Sequence, residues 1–180
     1  LKRIAKYGKQ DFYQGKTAEL LVKDMQANGG LVTKEDLAGY EAKFRAPIVF
    51  NYRNYQIVSV APPSSGGIAL FGILKSLERY NPKDFPYGSA KQIQLFTEIC
   101  RHVYADRSKF LGDPDFTAIP QDILLSNRYI DSLVDDIAFG ENHQTSAQVK
   151  PDTATVYESM QTTHFSILDA EGNSVSNTTT

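Results

Sequence analysis

The sequence predicts an α+β fold that is mostly helical and carries two β-hairpins. Apolar residues recur at helical spacing over several stretches, the longest of which covers residues 90 to 110. Two other stretches, 47–60 and 162–180, alternate between apolar and polar residues, which is typical of strands. A length of 180 residues with 41% hydrophobic content is enough for a single structural unit with a core.

Charge and cysteine content exclude several classes of function. The net charge of −2 and the scattered Lys and Arg provide no basic stripe for a nucleic acid. The sequence contains no run of 18 apolar residues, which a membrane-spanning helix would need. Because the chain begins at Leu1 rather than Met, we expect it to be part of a longer protein. A single cysteine, Cys100, excludes an internal disulfide and a multi-cysteine metal site, and we expect an inert, buried thiol there and no cofactor.

The first element is helical over residues 1–30. Its predicted apolar stripe consists of Leu20, Leu21 and Met25. Gly29 and Gly30 supply a left-handed stop. Thr33 and Asp36 then resemble a capping box, so a second, short helix should follow.

The stretch from Pro47 to Val60 alternates in polarity on both sides of Arg53 and Asn54, which predicts a β-hairpin with a two-residue turn. Pro62 to Gly67 then leads into a helix. A helix start rich in Ser and Gly can bind an anion. We favour the simpler interpretation that its serines cap the helix and its glycines allow close packing, because no lysine completes a phosphate-binding loop. The predicted apolar face of this helix contains Ile68, Phe71, Leu74 and Leu77.

Ser89 is predicted to cap the longest helix, whose core stripe would be Ile93, Phe96, Cys100 and Val103. Asp106 and Arg107 near its end are adjacent, so they cannot face each other and should pair with other elements. His102 is interpreted as a structural histidine, since no second ligand lies at metal spacing. Asn127 is predicted to cap a last helix that carries Ile130, Leu133, Val134 and Ile137 and ends at Gly140.

Residues 141–160 are polar and lack apolar periodicity, which in a compact domain is typical of a functional or mobile segment. A strand follows from Thr162, and residues 169–173 have the composition of a turn. Pairing Leu168 with Ser174 is the register that keeps the apolar side chains of this hairpin on one face.

The same register makes a prediction about two hydroxyl groups. It sets Ile167 against Val175 and Thr180 opposite Thr162, and directly opposed residues have Cβ atoms about 4.5–5.5 Å apart. A slip by one residue would oppose Thr179 to Thr162 and break the two-faced pattern. A second hydroxyl is therefore expected within reach of the first.

We interpret Thr162 as a nucleophile. Its hydroxyl can attack the carbonyl of Gln161 and form an ester by an N-to-O acyl shift, which water then cleaves. The α-amine released on Thr162 has an ordinary pKa of about 7.7–8.0, which suits a general base. The alternative is a threonine-rich edge hairpin without catalytic function, since threonine is a favoured strand residue.

The motifs occur in the order of a known family. The stretch from Tyr157 to Ser166, followed by Asp169, Gly172-Asn173 and Thr178 to Thr180, resembles the processing site of the gamma-glutamyltranspeptidases. Further similar motifs are Phe12 to Gly15, Asn28 to Leu37, Pro62 to Gly67, Tyr104 to Arg107 and Leu111 to Asp115. The resemblance covers nearly the whole chain.

This resemblance implies an N-terminal-nucleophile hydrolase of αββα fold, made as a precursor that cuts itself into two subunits. Residues 1–161 would belong to the large subunit and residues 162–180 would begin the small one. Thr162 would attack gamma-glutamyl compounds such as glutathione, and Thr180 would contact both nucleophile and substrate. His164 also matches the family and is a possible supporting residue. The acceptor would be an amino acid, a dipeptide or water, and the location periplasmic or secreted.

Family members also contain parts that this chain lacks. An Arg that holds the substrate α-carboxylate lies earlier, and the rest of the small subunit supplies the oxyanion hole. We therefore expect the isolated chain to be inactive and uncleaved at Gln161–Thr162. Two alternatives remain open, namely a related acylase for glutaryl-cephalosporins or poly-gamma-glutamate, and a non-catalytic helical binding module.

Overall fold

The computed structural model of the chain describes residues 1–138, 148–149 and 163–179. The chain divides into two compact units, Leu1–Arg45 and Ala46–Thr180, where the sequence suggested a single unit. The division falls in residues 40–47, all of which are exposed. The predicted boundary between residues 161 and 162 concerns cleavage of the backbone and stays a prediction.

The first unit is helical, as predicted. Its helices are α1 (Lys2–Tyr7), α2 (Lys9–Tyr13), α3 (Lys16–Ala27) and α4 (Lys34–Gly39). The core forms where Ala18 and Val22 of α3 meet Leu37 of α4. The predicted stripe was wrong about Leu20, which is exposed, because the face of α3 that packs on α4 is the one carrying Ala18 and Val22.

Backbone capping joins α3 to α4. Gly29 has a positive φ of 75°, and the Gly30 N–H donates to the Met25 carbonyl at 2.8 Å, which ends α3 as predicted. The capping box is also confirmed: the Asp36 N–H donates to Thr33 Oγ1 at 3.1 Å, and the Thr33 N–H donates to the Asp36 carboxylate at 2.8 Å. The hydrogen bonds from Thr33 lower the pKa of Asp36.

The second unit opens with the predicted hairpin, β1 (Ile48–Tyr52) and β2 (Tyr55–Ser59), joined at Arg53 and Asn54. Helix α5 (Gly66–Leu77) packs against it. A Cβ on Gly67 would lie 2.5 Å from the Val60 carbonyl oxygen, so this glycine is needed for the close approach. The predicted role of glycine in close packing is therefore confirmed at Gly67. The prediction that the serines cap this helix was wrong for its N-cap, Ser65, whose side chain makes no capping hydrogen bond. Ser64 Oγ does accept from the Gly66 N–H at 3.2 Å.

The larger core lies among α5 and two later helices. The elements that follow α5 are a 3₁₀ turn (Pro82–Asp84), α6 (Ala90–Phe110), α7 (Gln121–Leu124) and α8 (Asn127–Asp135). Ser89 caps α6 as predicted, because its Oγ accepts from the Gln92 N–H at 3.1 Å. The buried core cluster comprises Ala69, Leu95, Ile99, Val103 and Leu133.

The predicted core stripe of α6 was wrong except for Val103. Ile93 and Phe96 are exposed and Cys100 is only half-buried. The helix is apolar on two faces, and the face carrying Leu95 and Ile99 is the one that packs on α5 and α8. Periodicity could not distinguish these two faces.

The last helix also differs from the prediction at both ends. Ser126 rather than Asn127 is the N-cap, since its Oγ accepts from the Tyr129 N–H at 3.1 Å. The helix ends at Asp135, several residues before Gly140, which lies outside the described residues. Ile130 and Leu133 are buried as expected.

A second hairpin, β3 (Thr163–Leu168) and β4 (Ser174–Thr179), closes the described chain. The result is an α+β fold rich in helix with two β-hairpins, as predicted. Within the described ranges, every helix is too short or too polar to cross a membrane.

Candidate active site

The register of the closing hairpin is the one predicted. Leu168 pairs with Ser174 and Ile167 with Val175. Towards the open end, the ladder continues as far as Thr163 and Thr179. The pairing that keeps apolar residues together on one face was therefore sufficient to predict the register.

The predicted catalytic residues flank this ladder. Gln161, Thr162 and Thr180 lie outside the described residues, so the approach of the two hydroxyls stays a prediction. His164 is in β3, where its backbone pairs with Thr178.

Cross-strand contact between hydroxyl groups does occur further along the hairpin. The Oγ atoms of Ser166 and Ser176 lie 3.3 Å apart, at hydrogen-bonding distance. These two residues are direct partners in the ladder. Opposed hydroxyl side chains on this hairpin are therefore close enough to exchange a hydrogen bond.

A side-chain network at the turn stabilises this register. The backbone N–H of Asn173 donates to one carboxylate oxygen of Asp169 at 2.7 Å, and its side-chain amide donates to the other at 2.8 Å. Gly172 has a positive φ of 87°, which favours glycine. The hydrogen bonds from Asn173 are the main cause of a lowered pKa at Asp169.

Asp106 and Arg107 of α6 pair with other elements, as predicted. The hydroxyl of Tyr129 in α8 donates to Asp106 at 2.7 Å. The Nε of Arg107 donates to Ser65 Oγ at the start of α5 at 2.9 Å. Burial, with the Asp106 contact, raises the pKa of Tyr129, which therefore stays a neutral donor. These contacts bind α6 to its two neighbours and make no reactive group.

Beside this network lies a cavity of about 550 Å³ bounded by α6, α7 and α8. Sequence reasoning did not identify it, because its lining comes from elements with no pairing signal between them. His102 lies on its border, and its Nε2 is buried without a hydrogen-bond partner among the described residues. Within those residues, no group of three or more His, Cys, Asp or Glu could hold a metal ion.

The half-buried Cys100 has the character expected of an unreactive thiol. Burial raises the pKa of its thiol, so the nucleophilic thiolate is disfavoured at neutral pH. Cys100 is thus no candidate for the nucleophile.

Comparison with known proteins relates the whole chain to one family. The family model described as gamma-glutamyltranspeptidase matches residues 1–180. The glutathione hydrolase proenzyme of Escherichia coli (strain K12) is 45% identical over 180 residues, covering 100% of this chain and 31% of that protein. The acylase ACY 1 proenzyme of Pseudomonas sp. (strain V22) is 36% identical, with the same 100% and 31% coverage.

A solved structure agrees with these sequence matches. The crystal structure of Helicobacter pylori gamma-glutamyltranspeptidase is similar with a TM-score of 0.73 and 42% sequence identity. The match covers 89% of this chain and 46% of that chain. The present chain thus spans about a third of the length of its curated relatives, at 31% of the E. coli protein.

Proposed function

Because this chain belongs to the gamma-glutamyltranspeptidase family, we propose that it is part of an enzyme that cleaves gamma-glutamyl bonds after cutting its own backbone before Thr162. Its fold is accordingly part of the N-terminal-nucleophile hydrolase fold. The observation that carries the proposal is the register that pairs Thr163 with Thr179. Continued by one residue, this ladder would oppose the hydroxyl groups of Thr162 and Thr180.

The first step is self-cleavage. The Thr162 hydroxyl attacks the carbonyl carbon of Gln161, the C–N bond breaks, and the nitrogen takes up the proton. The resulting ester is hydrolysed by water, which leaves a carboxylate on Gln161 and restores the hydroxyl. Thr162 then carries a free α-amine, whose ordinary pKa of about 7.7–8.0 lets it act as a general base near neutral pH.

The second step is transfer of the glutamyl group. The amine of Thr162 accepts the proton from its own hydroxyl, which attacks the gamma-glutamyl carbonyl and expels the amine of the donor. An amino acid, a dipeptide or water then takes the glutamyl group from the ester. Thr180 contributes a hydroxyl that orients the nucleophile and contacts the substrate. Two residues of extended strand span about 6–7 Å, so His164 would be too far along the chain from Thr162 to share its role and is proposed as a supporting residue only.

The proposed donor is glutathione or another gamma-glutamyl compound. Relatives across the whole chain carry the name glutathione hydrolase proenzyme, which supports both the substrate class and a precursor that requires processing. We propose a periplasmic or secreted location, in keeping with the family resemblance. The remainder of the small subunit is the required partner of residues 1–161.

A related acylase activity is the second candidate. It is supported by the 36% identity to the acylase ACY 1 proenzyme over 180 residues. The higher identity to the glutathione hydrolase proenzyme, 45% over the same length, favours the gamma-glutamyl donor. Relative rates on a gamma-glutamyl anilide and on glutaryl-7-aminocephalosporanic acid would rank the two substrates.

The decisive experiment is intact mass spectrometry of the full-length precursor after purification. Two fragments with Thr162 at the new N-terminus, together with release of aniline from a gamma-glutamyl anilide, are expected. The 180-residue chain alone should remain one piece and be inactive, because oxyanion donors worth about 100- to 1000-fold in rate would be missing. An intact, correctly folded precursor that ignores glutathione would contradict the proposal.

A further inference from the structure

Val149 is buried, with 8% of its surface exposed, although it lies within the polar stretch of residues 141–160. Its neighbours Gln148 and Lys150 are polar, and connections of this composition normally run over the protein surface. A buried valine in such a segment indicates a point at which the chain is attached to the domain.

The cavity of about 550 Å³ among α6, α7 and α8 has Val149 in its wall, next to Gln148. We call it the α6–α8 groove. Its apolar lining is formed by Phe110, Pro120, Ile123, Leu124 and Leu133. Its polar lining includes Asp106, Ser132 and Asp136. An apolar strip beside polar acceptors suits a peptide segment, which presents side chains and backbone N–H groups together.

The floor of the groove is rigid. Leu124 and Leu133 are buried in the domain, and the hydrogen bond from Tyr129 to Asp106 joins α8 to α6 within the lining of the groove. Ile123 is different, because 63% of its surface is exposed while it lines the same groove. Ile123 can therefore be changed without opening the core.

We propose that the α6–α8 groove is a seat for this chain's own segment leading to the cleavage site, with Val149 as a positioning residue for self-cleavage. This inference rests on the function proposed above. The inference gives a role in self-cleavage to the α6–α8 groove, which contributes no reactive group.

The physical reason is restriction of a short tether. Gln161 lies twelve positions after Val149, a reach of at most ~43 Å, and β3 begins at Thr163. A scissile bond between two attached points has fewer accessible conformations than one on a free segment. A larger fraction of those conformations therefore presents the Gln161 carbonyl to the hydroxyl. Release of Val149 removes one of the two attachments.

The test uses the full-length precursor and measures the rate of self-cleavage. Val149→Asp and Ile123→Asp are each expected to slow it about tenfold, since misplacement of a reacting group has effects of this size or larger. Val149→Ile keeps an apolar side chain and should cleave at the wild-type rate. Ile93→Asp is the matched control, because Ile93 is 57% exposed on α6 and does not line the groove.

Two further measurements separate positioning from general damage. The thermal unfolding midpoint and the anilide turnover per cleaved molecule should be unchanged in both Asp variants. In a Thr162→Ala precursor, which cannot cleave itself, Val149→Asp should increase proteinase K cutting within residues 139–161.

The outcomes distinguish this inference from the proposed function. A wild-type precursor that never cleaves overturns both. Wild-type cleavage with unchanged rates in Val149→Asp and Ile123→Asp overturns the positioning role alone. A rate loss equal to that of Ile93→Asp, or one that follows a lowered unfolding midpoint, also overturns it.

Discussion

The two β-hairpins of this chain are both antiparallel and have strands of similar length, five residues in the first and six in the second. Only the first is packed on a helix in the described structure. Ile48 of β1 is 4% exposed, and the ring of Phe50 packs edge-on against Phe71 of α5 with 5.2 Å between ring centroids. In the second hairpin, Ile167 is 58% and Val175 54% exposed.

The turns of the two hairpins also differ: the first is hydrogen-bonded to a helix, and the second is hydrogen-bonded within itself. At the first turn, the Arg53 N–H donates to the Glu78 carboxylate at 2.6 Å, and Lys75 donates to the Asn51 carbonyl at 3.2 Å. Burial raises the pKa of Glu78, but the hydrogen bonds from Lys75 and Arg53 outweigh it, so the pKa is lowered overall. At the second turn, Asp169 is bonded within its own turn by Asn173.

The difference separates two ways to fix a register. The first hairpin is held by tertiary packing against a helix, whereas the second depends on its turn and on cross-strand pairs such as Ser166 with Ser176. An isolated two-stranded hairpin is marginal in water. The alignment of the threonines at the open end is therefore sensitive to the turn at the closed end.

The largest effect is expected at the open end of the second hairpin. Thr162→Ala should leave the full-length precursor as a single polypeptide and lower glutathione hydrolysis by about 10⁶-fold, the cost of removing a nucleophile. Intact mass and anilide release measure the two effects. Thr163→Ala is the control, since its backbone pairs with Thr179 and its hydroxyl has no proposed role. Normal processing of the Thr162→Ala precursor would exclude this nucleophile.

A smaller effect is expected on the opposite strand. Thr180→Ala should lower kcat by about 100-fold, because a hydroxyl that stabilises developing charge contributes on this scale. Thr179→Ala, one residue away, should retain kcat within threefold. The kinetics of gamma-glutamyl anilide cleavage by processed enzyme provide the measurement. Equal losses in the two variants would mean that the register does not select Thr180.

The packing difference itself can be tested with one residue type. Ile48→Ala removes a buried side chain and should lower the free energy of unfolding by about 2–4 kcal/mol. Ile167→Ala removes an exposed one and should cost less than about 1 kcal/mol. Urea denaturation of both variants in the uncleaved Thr162→Ala precursor would measure this. Equal losses would mean that the remainder of the precursor covers β3.

What could be predicted from the sequence follows the range of the interactions. The caps at Thr33 and Ser89 and both hairpin registers depend on residues a few positions apart, and these predictions were confirmed. The prediction of the inward face of α6 was wrong. Ile93 and Ile99 both lie in apolar stripes, and the packing against neighbouring helices determines which stripe is buried.

The candidate site shows the same limit. The alternation of polar and apolar residues from Thr162 onwards led to the prediction of a nucleophile and a facing hydroxyl. Both residues lie close in sequence to the turn that aligns them. The α6–α8 groove brings His102, Ile123 and Val149 together from three separate stretches. No periodicity links those stretches, so only the folded chain could reveal the groove.

The smallest effect concerns the turn of the second hairpin. Hydrogen bonds from Asn173 lower the pKa of Asp169 in the folded chain. The Asp169 carboxylate therefore contributes to stability above its unfolded pKa of about 3.9, and this contribution is lost as the pH falls through the lower folded pKa. In the uncleaved precursor, the NMR shift of the Asn173 amide should be constant from about pH 7 to 5 and move only below about pH 4.

Two variants check the origin of this change. Asp169→Asn should abolish the acid transition of the Asn173 amide, since no carboxylate remains to be protonated. Glu171→Gln, in the same turn, should leave it in place, because the Asn173 N–H donates to Asp169. An unchanged transition in Asp169→Asn would show that another group controls the turn, and the dependence of the second hairpin on Asp169 would then be wrong.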